Sequence, residues 1–272
     1  AVGRTASSQF ISALLLIGPF LRDGVSVRYT DVPTSPGYIA LTRLAMRQFG
    51  VEVRDKQWLG PRIDQVRPVR VEGRELEVEA DASSAAYWLV AGAIVPDSRV
   101  RVEGLRPSST QPDAGLVPLL ERAGAEWTVK DGAIEVIGPE RLRPLDEDLS
   151  GMPDGAMAVA ILAACATGRS RLRGLETLRV KETDRLAALA TELTRVGCEA
   201  TADSALLVIH PHDGVRRDVV IETYNDHRMA MAFAVLGLVR RGIAISDPGC
   251  VSKSYPGFWN DLAMVRAGRS AP

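Results

Sequence analysis

Two kinds of apolar helical stretch alternate along this sequence. The first kind is almost unbroken in small apolar residues and covers residues 8–20, 82–95, 155–166 and 227–238. Helices of that composition are predicted to be packed on every side, near the centre of a domain. The second kind is amphipathic and ends at a glycine: Gly50, Gly124, Gly197 and Gly268, at spacings of 124 − 50 = 74, 197 − 124 = 73 and 268 − 197 = 71. Each glycine reads as the residue that closes a helix C-terminus. The interval marks an internal repeat written four times.

The starts of the small-residue helices repeat as well. Asp81, Asp154 and Asp226 open copies two to four, at spacings of 154 − 81 = 73 and 226 − 154 = 72, while Ser7 and Ser8 open the first. All are residue types that cap helix N-termini. A short strand is predicted between the two helices, at 25–27, 100–102, 171–173 and 243–245. Two more follow the glycine, clearest at 127–129 and 133–137 around the hairpin turn Asp131, Gly132. The unit is therefore helix, strand, helix, strand, strand, and the fold class is α/β. The stretch least like the repeat is 57–78, which holds Pro61 and Pro68. It predicts a boundary near its end, giving an incomplete domain at 1–78 and a second domain of about three units at 79–272. The fourth copy reaches Gly268 without a closing hairpin, and unpaired sheet edges seek partners, so additional polypeptide is expected to close it.

Composition narrows the function. The 272 residues are 46% hydrophobic, and the 33 basic and 34 acidic side chains give a net charge of −1. No global field draws in nucleic acid. No apolar run approaches the ~18–20 residues that span a bilayer, and no secretory pattern opens the chain, so no membrane partner and a cytoplasmic location are expected. Cys165, Cys198 and Cys250 are odd in number and widely spaced, which suits packing better than disulfides or a zinc cluster. Lysine occurs only at Lys56, Lys130, Lys181 and Lys253, against 33 − 4 = 29 arginines. Positions 181 and 253 thus look like places where a compact ammonium is preferred to a guanidinium fork.

The densest chemistry lies at 179–185, where Arg-Val-Lys-Glu-Thr-Asp-Arg packs five charged side chains into seven residues ahead of an apolar stripe at Leu186, Ala187, Leu189, Ala190, Leu193 and Val196. Thr183 is the expected N-cap, which puts the cluster at a helix entry that already favours anions. If helical geometry begins this early, Lys181 and Arg185 share a face with Glu182 beside them. Two readings fit that spacing. One is a solvated helix start with an i,i+3 ion pair; the other is an anion site.

Beyond this cluster the chain resembles the 5-enolpyruvylshikimate-3-phosphate synthase family from about Ser7 to about Trp259. The likeness rests on Ser7-Ser8-Gln9, on residues 35–38 and 81–85, on Pro153-Asp154, on the run at 179–185, on Tyr-Asn-Asp-His-Arg-Met-Ala-Met at 224–231, and on residues 253–256. It implies two domains built from βαβαββ units as an inside-out α/β barrel, one of them incomplete here. It also implies transfer of the enolpyruvyl group of phosphoenolpyruvate to the 5-hydroxyl of shikimate 3-phosphate, with no cofactor and no metal. Residue by residue, Ser7, Ser8, Gln9, Ser35 and Lys181 match positions that hold shikimate 3-phosphate, and Tyr38 matches one that stacks nearby. Arg185, Arg228 and Lys253 match those that hold phosphoenolpyruvate. Glu182 matches the residue that protonates the enol methylene, and Asp154 the one that takes the hydroxyl proton. Thr177 stands where family members commonly carry asparagine. The family's N-terminal lysine, serine and Asn-Ala-Gly-Thr loop have no counterpart in these residues, so the missing N-terminal segment is an expected partner.

The residues leave other readings open. Asp154 shares its place with Asp81 and Asp226, so a plain helix cap fits it equally well. Arg228 reads as a first-turn arginine, Ser7 and Ser8 as caps, His227 as a structural hydrogen bonder, and His210 and His212 as turn residues. The related transferase acting on UDP-N-acetylglucosamine is the alternative enzyme, which the run at 179–185 disfavours. An incomplete, non-catalytic anion-binding module is the alternative class.

Overall fold

The fold is seen in a computed structural model that describes residues 1–3, 5–56, 62–106, 108–211 and 218–268. The first copy of the repeat runs α1 (Gln9–Ile17), β1 (Val25–Arg28), α2 (Pro36–Gln48), β2 (Val53–Lys56) and β3 (Ile63–Val66). The second runs α3 (Ala82–Ile94), β4 (Arg99–Val102), α4 (Leu116–Ala123), β5 (Glu126–Lys130) and β6 (Ala133–Ile137). The third opens with an extra strand, β7 (Asp146–Asp148), before α5 (Ala156–Ala164), β8 (Ser170–Arg173), α6 (Arg185–Arg195), β9 (Glu199–Ala202) and β10 (Leu207–His210). The fourth gives β11 (Val219–Ile221), α7 (His227–Leu236), β12 (Ile243–Ile245) and α8 (Phe258–Arg266).

β7 and β11 pair in parallel with β8 and β12, and Val2 makes the corresponding parallel bridge to Tyr29. These leading strands escape the sequence pattern because each is three residues or fewer, and β7 is wholly acidic. Within each of the first three copies the last strand sits between the other two of the antiparallel set, in the orders β1-β3-β2, β4-β6-β5 and β8-β10-β9.

The repeating glycines do what their spacing predicts. Gly50, Gly124, Gly197 and Gly268 have φ of 78°, 103°, 95° and 69°, a region in which a side chain is strained. In the first three the next residue's amide reaches back to the final turn: Val51 to Met46, Ala125 to Leu120 and Cys198 to Leu193, at 2.9, 3.0 and 2.9 Å.

Residues 57–61 of the expected linker lie outside the described residues, but 63–66 is strand rather than linker. β3 hides because its inward positions are Asp64 and Val66. Asp64 is fully buried, accepting from the Tyr29 hydroxyl at 2.7 Å and from both Nε (3.1 Å) and Nη2 of Arg43. A charged inward residue breaks the apolar alternation that announces a strand.

The chain divides into two compact units: Ala1–Glu79 with Ser108–Pro112, and Ala80–Pro107 with Asp113–Pro272. In the second unit α3, α5 and α7 pack against one another, and every residue of α5 is buried. Its sheets lie outside these helices. In the first unit α1 packs on α2 and β1 through Ile11 and Leu15, while Phe10, Leu14, Leu16 and Ile17 stay exposed. Within this unit the helical neighbour of α1 is α2, and the face carrying those four residues is uncovered. No helix among the described residues is long and apolar enough to cross a membrane.

Candidate active site

The cluster at 179–185 enters α6 as expected, with a different cap. Asp184, not Thr183, is the N-cap: its carboxylate accepts from the Ala187 amide at 3.0 Å and from Arg179 Nη1 at 2.9 Å. The Thr183 carbonyl takes the Arg185 amide at 2.8 Å, so the chain is still turning at 183. Residues 181–184 are not helical, and the shared helical face expected for Lys181 and Arg185 is absent. The apolar stripe also shifts. Ala187 is exposed, and the buried face comprises Arg185, Leu186, Ala188, Leu189, Glu192 and Leu193, two of them charged.

Arg185 is the centre of the site. It is 1% exposed, and its guanidinium forks onto Asp226, with Nε to Oδ2 at 2.7 Å and Nη2 to Oδ1 at 3.2 Å. Nη1 meets Asp154 Oδ1 at 3.1 Å, and Nη2 meets Glu182 Oε2 at 2.7 Å. Burying a guanidinium is tolerable only with such pairing. The cost of burial is outweighed by Asp226 and Glu182, which hold Arg185 above its ordinary pKa. These four contacts use four of the five N–H donors of Arg185, so most of its hydrogen-bonding capacity is already committed to carboxylates.

The other cations gather on the same carboxylates. Lys181 Nζ lies 3.3 Å from Asp154 Oδ1, and Arg228 Nη2 lies 3.5 Å from Asp154 Oδ2. Lys253, in the turn Pro248–Lys253, places Nζ 3.6 Å from Glu182 Oε1. Residues from the third and fourth copies of the repeat thus converge on two carboxylates, although Lys181 and Lys253 are 253 − 181 = 72 positions apart. Burial disfavours the charge on Asp154, but Arg228, Lys181 and Arg185 outweigh it and hold the carboxyl below the usual range.

Three partners carry no sequence signal of this role. Asp226 caps α7, accepting from the Arg228 amide at 2.8 Å while it forks Arg185. Its dual role becomes visible only when 185 and 226 are seen side by side. The buried Tyr87 hydroxyl of α3 lies close to Arg228 without a hydrogen bond of ordinary geometry, and burial pushes its pKa up to about 12. Asp113, buried, sits near Arg228 and Asp154.

Several expected residues behave otherwise. The Thr177 hydroxyl oxygen is buried without a hydrogen-bond partner among the described residues. His227 makes no structural hydrogen bond through Nδ1, which is buried and 3.7 Å from Asp226 Oδ1. Burial and the neighbouring Arg228 charge lower its pKa to about 4, so the ring is neutral. His210 ends β10 rather than lying in a turn, and His212 lies outside the described residues.

In the first unit Ser7 accepts from the Gln9 amide at 3.2 Å, whereas Ser8 and Ser35 hold the N-cap positions of α1 and α2 without a side-chain cap bond. Thr34 donates to the Thr5 carbonyl at 2.5 Å, tying the two helix starts together. Ser35 has a left-handed backbone (φ 47°), a conformation that costs a non-glycine residue free energy and aims its side chain off the helix axis. Tyr38 follows in the first turn of α2.

The sequence pattern of EPSP synthase (3-phosphoshikimate 1-carboxyvinyltransferase) matches residues 2–262. The chain belongs to the EPSP synthase family. Curated relatives named 3-phosphoshikimate 1-carboxyvinyltransferase include those of Thiobacillus denitrificans, 40% identical over 261 residues, and Nitrosomonas europaea, 39% identical over 262. Each alignment covers 95% of this chain and 60% of the relative. The solved EPSP synthase of Acinetobacter baumannii superimposes with a TM-score of 0.77 at 29% identity, covering 99% of this chain and 63% of that one. The chain thus spans about 60% of the length of the EPSP synthases it matches.

Proposed function

We propose that these residues serve the transfer of the enolpyruvyl group of phosphoenolpyruvate to the 5-hydroxyl of shikimate 3-phosphate, releasing phosphate, within a protein that includes more than this chain's span. The observation that carries the reading is the convergence of Lys181, Arg185, Arg228 and Lys253 on Asp154 and Glu182. Two polyanionic substrates need clustered cations, and the reaction needs one carboxyl group to give a proton and another to take one. Arg185, Arg228 and Lys253 hold phosphoenolpyruvate. Lys181 and the helix-start residues Ser7, Ser8, Gln9 and Ser35 hold shikimate 3-phosphate, with Tyr38 stacking nearby. Glu182 protonates the methylene carbon, and Asp154 takes the proton of the attacking hydroxyl.

The low pKa of Asp154 disqualifies it as a base only while the cations are on it. Anionic ligands compete for Arg228, Lys181 and Arg185, and each cation drawn away lets the Asp154 pKa rise toward the range in which it accepts a proton. Binding and base activation are then one event.

The test is phosphate release from phosphoenolpyruvate by the whole protein. Release that depends on shikimate 3-phosphate supports the reading. Release that depends instead on UDP-N-acetylglucosamine would assign the other transferase, and binding of both anions without release would leave a non-catalytic module. This chain spans about 60% of the length of the relatives it matches, so the assay is made on the whole protein.

A further inference from the structure

Asp113 lies in the short turn Pro112–Gly115 ahead of α4, with no motif around it. Its carboxylate is nonetheless among the most buried in the second unit, at 2% exposure. Oδ1 accepts from the Gly155 amide at 3.0 Å, and Oδ2 accepts from the Ser83 hydroxyl. Gly155 is the residue directly after Asp154.

The three aspartates that precede first helices explain why this matters. Asp81 accepts from the Ser83 and Ser84 amides of α3, and Asp226 accepts from the Arg228 amide of α7. At α5 the cap position passes to Gly155, which has no side chain to use, and the Asp154 carboxylate meets Lys181, Arg185 and Arg228. The helix start is held from outside instead, by the carboxylate of Asp113. We infer that Asp113 is a positioning residue, which anchors the start of α5 through the Gly155 amide and thereby leaves the Asp154 carboxylate to Lys181, Arg185 and Arg228.

Gly155 is the other half of the device. A Cβ there would lie 3.2 Å from Asp113 Oδ1 and 3.0 Å from Met152 Cε, so a larger residue crowds the carboxylate at its contact with the amide. The charges facing Asp154 include those of Lys181, Arg185, Arg228 and Asp113 itself. Without Asp113 the Asp154 side chain is free to turn onto the amides of its own helix, as Asp81 and Asp226 do, and the cations lose their shared carboxylate.

The effect on turnover rests on the proposed function; the effect on Asp154 does not. The experiment therefore reads both, in Asp113→Ala and Asp113→Asn of the full-length protein: steady-state kinetics, and the titration of the Asp154 carboxyl carbon by NMR. Asp113→Ala is expected to lower kcat by about 10²-fold with KM within about 3-fold, because misplacement rather than lost binding is the defect. Its Asp154 titration should shift from the parent's, because the carboxylate changes its partners. Asp113→Asn, whose amide oxygen still accepts from Gly155, should stay within about 5-fold of the parent. An unchanged Asp154 titration in the alanine variant, or an asparagine variant as impaired as alanine, would overturn the inference. If Asp113→Ala does not fold, Asp113→Ser, which keeps a small polar side chain but cannot reach the Gly155 amide as the carboxylate does, is held to the same outcomes. If the parent shows no enolpyruvyl transfer, the proposed function fails, and the titration still decides on Asp113.

Discussion

Asp81 and Asp154 stand at the same point of two successive repeats, just ahead of α3 and α5, and their carboxylates meet different partners. Asp81 is spent on its own helix, accepting from two amides and from the Ser84 hydroxyl at 2.6 Å. Asp154 accepts from Arg185 and pairs with Lys181 and Arg228. Asp226, in the fourth copy, does both at once. A repeat reproduces backbone geometry; what a side chain does there depends on the charges that other copies bring to it. In this site the charge at 185 came with the third copy and the one at 228 with the fourth, and both face the third copy's aspartate.

The largest expected effect comes from the aspartate with two roles. Asp226→Ala leaves the buried Arg185 without its fork, and removing one partner of a buried pair costs about 3–5 kcal/mol, read as a fall in the chemical denaturation midpoint. A loss under about 1 kcal/mol would show that Asp154 and Glu182 suffice for Arg185. Next, Asp154→Asn and Glu182→Gln are each expected to lower kcat of the whole protein by about 10²–10⁴ with a smaller change in KM. Near-normal turnover with reduced stability in Asp154→Asn would make Asp154 a second Asp81.

A pH effect distinguishes the fourth copy from the second. Burial and Arg228 take His227 from 6.5 to about 4. Between those values the unfolded chain binds a proton that the folded chain refuses, so stability is greatest above pH 6.5 and falls on acidification toward 4. The total is on the order of 3 kcal/mol. Asp154 and Asp226, both held below 3.8, extend the decline to lower pH. His227→Gln should flatten the curve between pH 6.5 and 4; an unchanged slope would place the proton uptake elsewhere. The smallest effect belongs to the simplest residue. Asp81→Ala should cost about 1 kcal/mol of stability as a lost cap, with kcat unaltered.

What could be read from the sequence depended on how local the cause was. The glycine caps and the small-residue helices were legible because a helix end or a packed face is written in a few neighbouring residues. β3 was not, since its inward Asp64 is satisfied by Tyr29 and Arg43, 35 and 21 positions away. The same limit applies to the site. The charge-dense run at 179–185 announced itself, but the burial of Arg185 depends on Asp226, 41 positions on. Thr183 and Asp184 are both good caps, and only the turn at 183 decides between them. Asp113 had no local signal at all, because its partners are an amide and a hydroxyl from two other segments.

The strand order within each copy has a consequence during synthesis. Because the last strand of a copy lies between the earlier two, β4, finished at Val102, waits for β6, which begins at Ala133, 133 − 102 = 31 residues later. At ~5–20 residues per second that wait is about 2–6 s of bare backbone on the ribosome. The sequence of β4 is Arg-Val-Arg-Val, and its arginines point outward. Charge on a waiting strand discourages pairing with a neighbouring nascent chain. Protease cleavage within β4 in chains stalled before β6 emerges, and protection in chains stalled after it, would measure the interval. Arg99 and Arg101 thus protect the strand before there is a fold to protect.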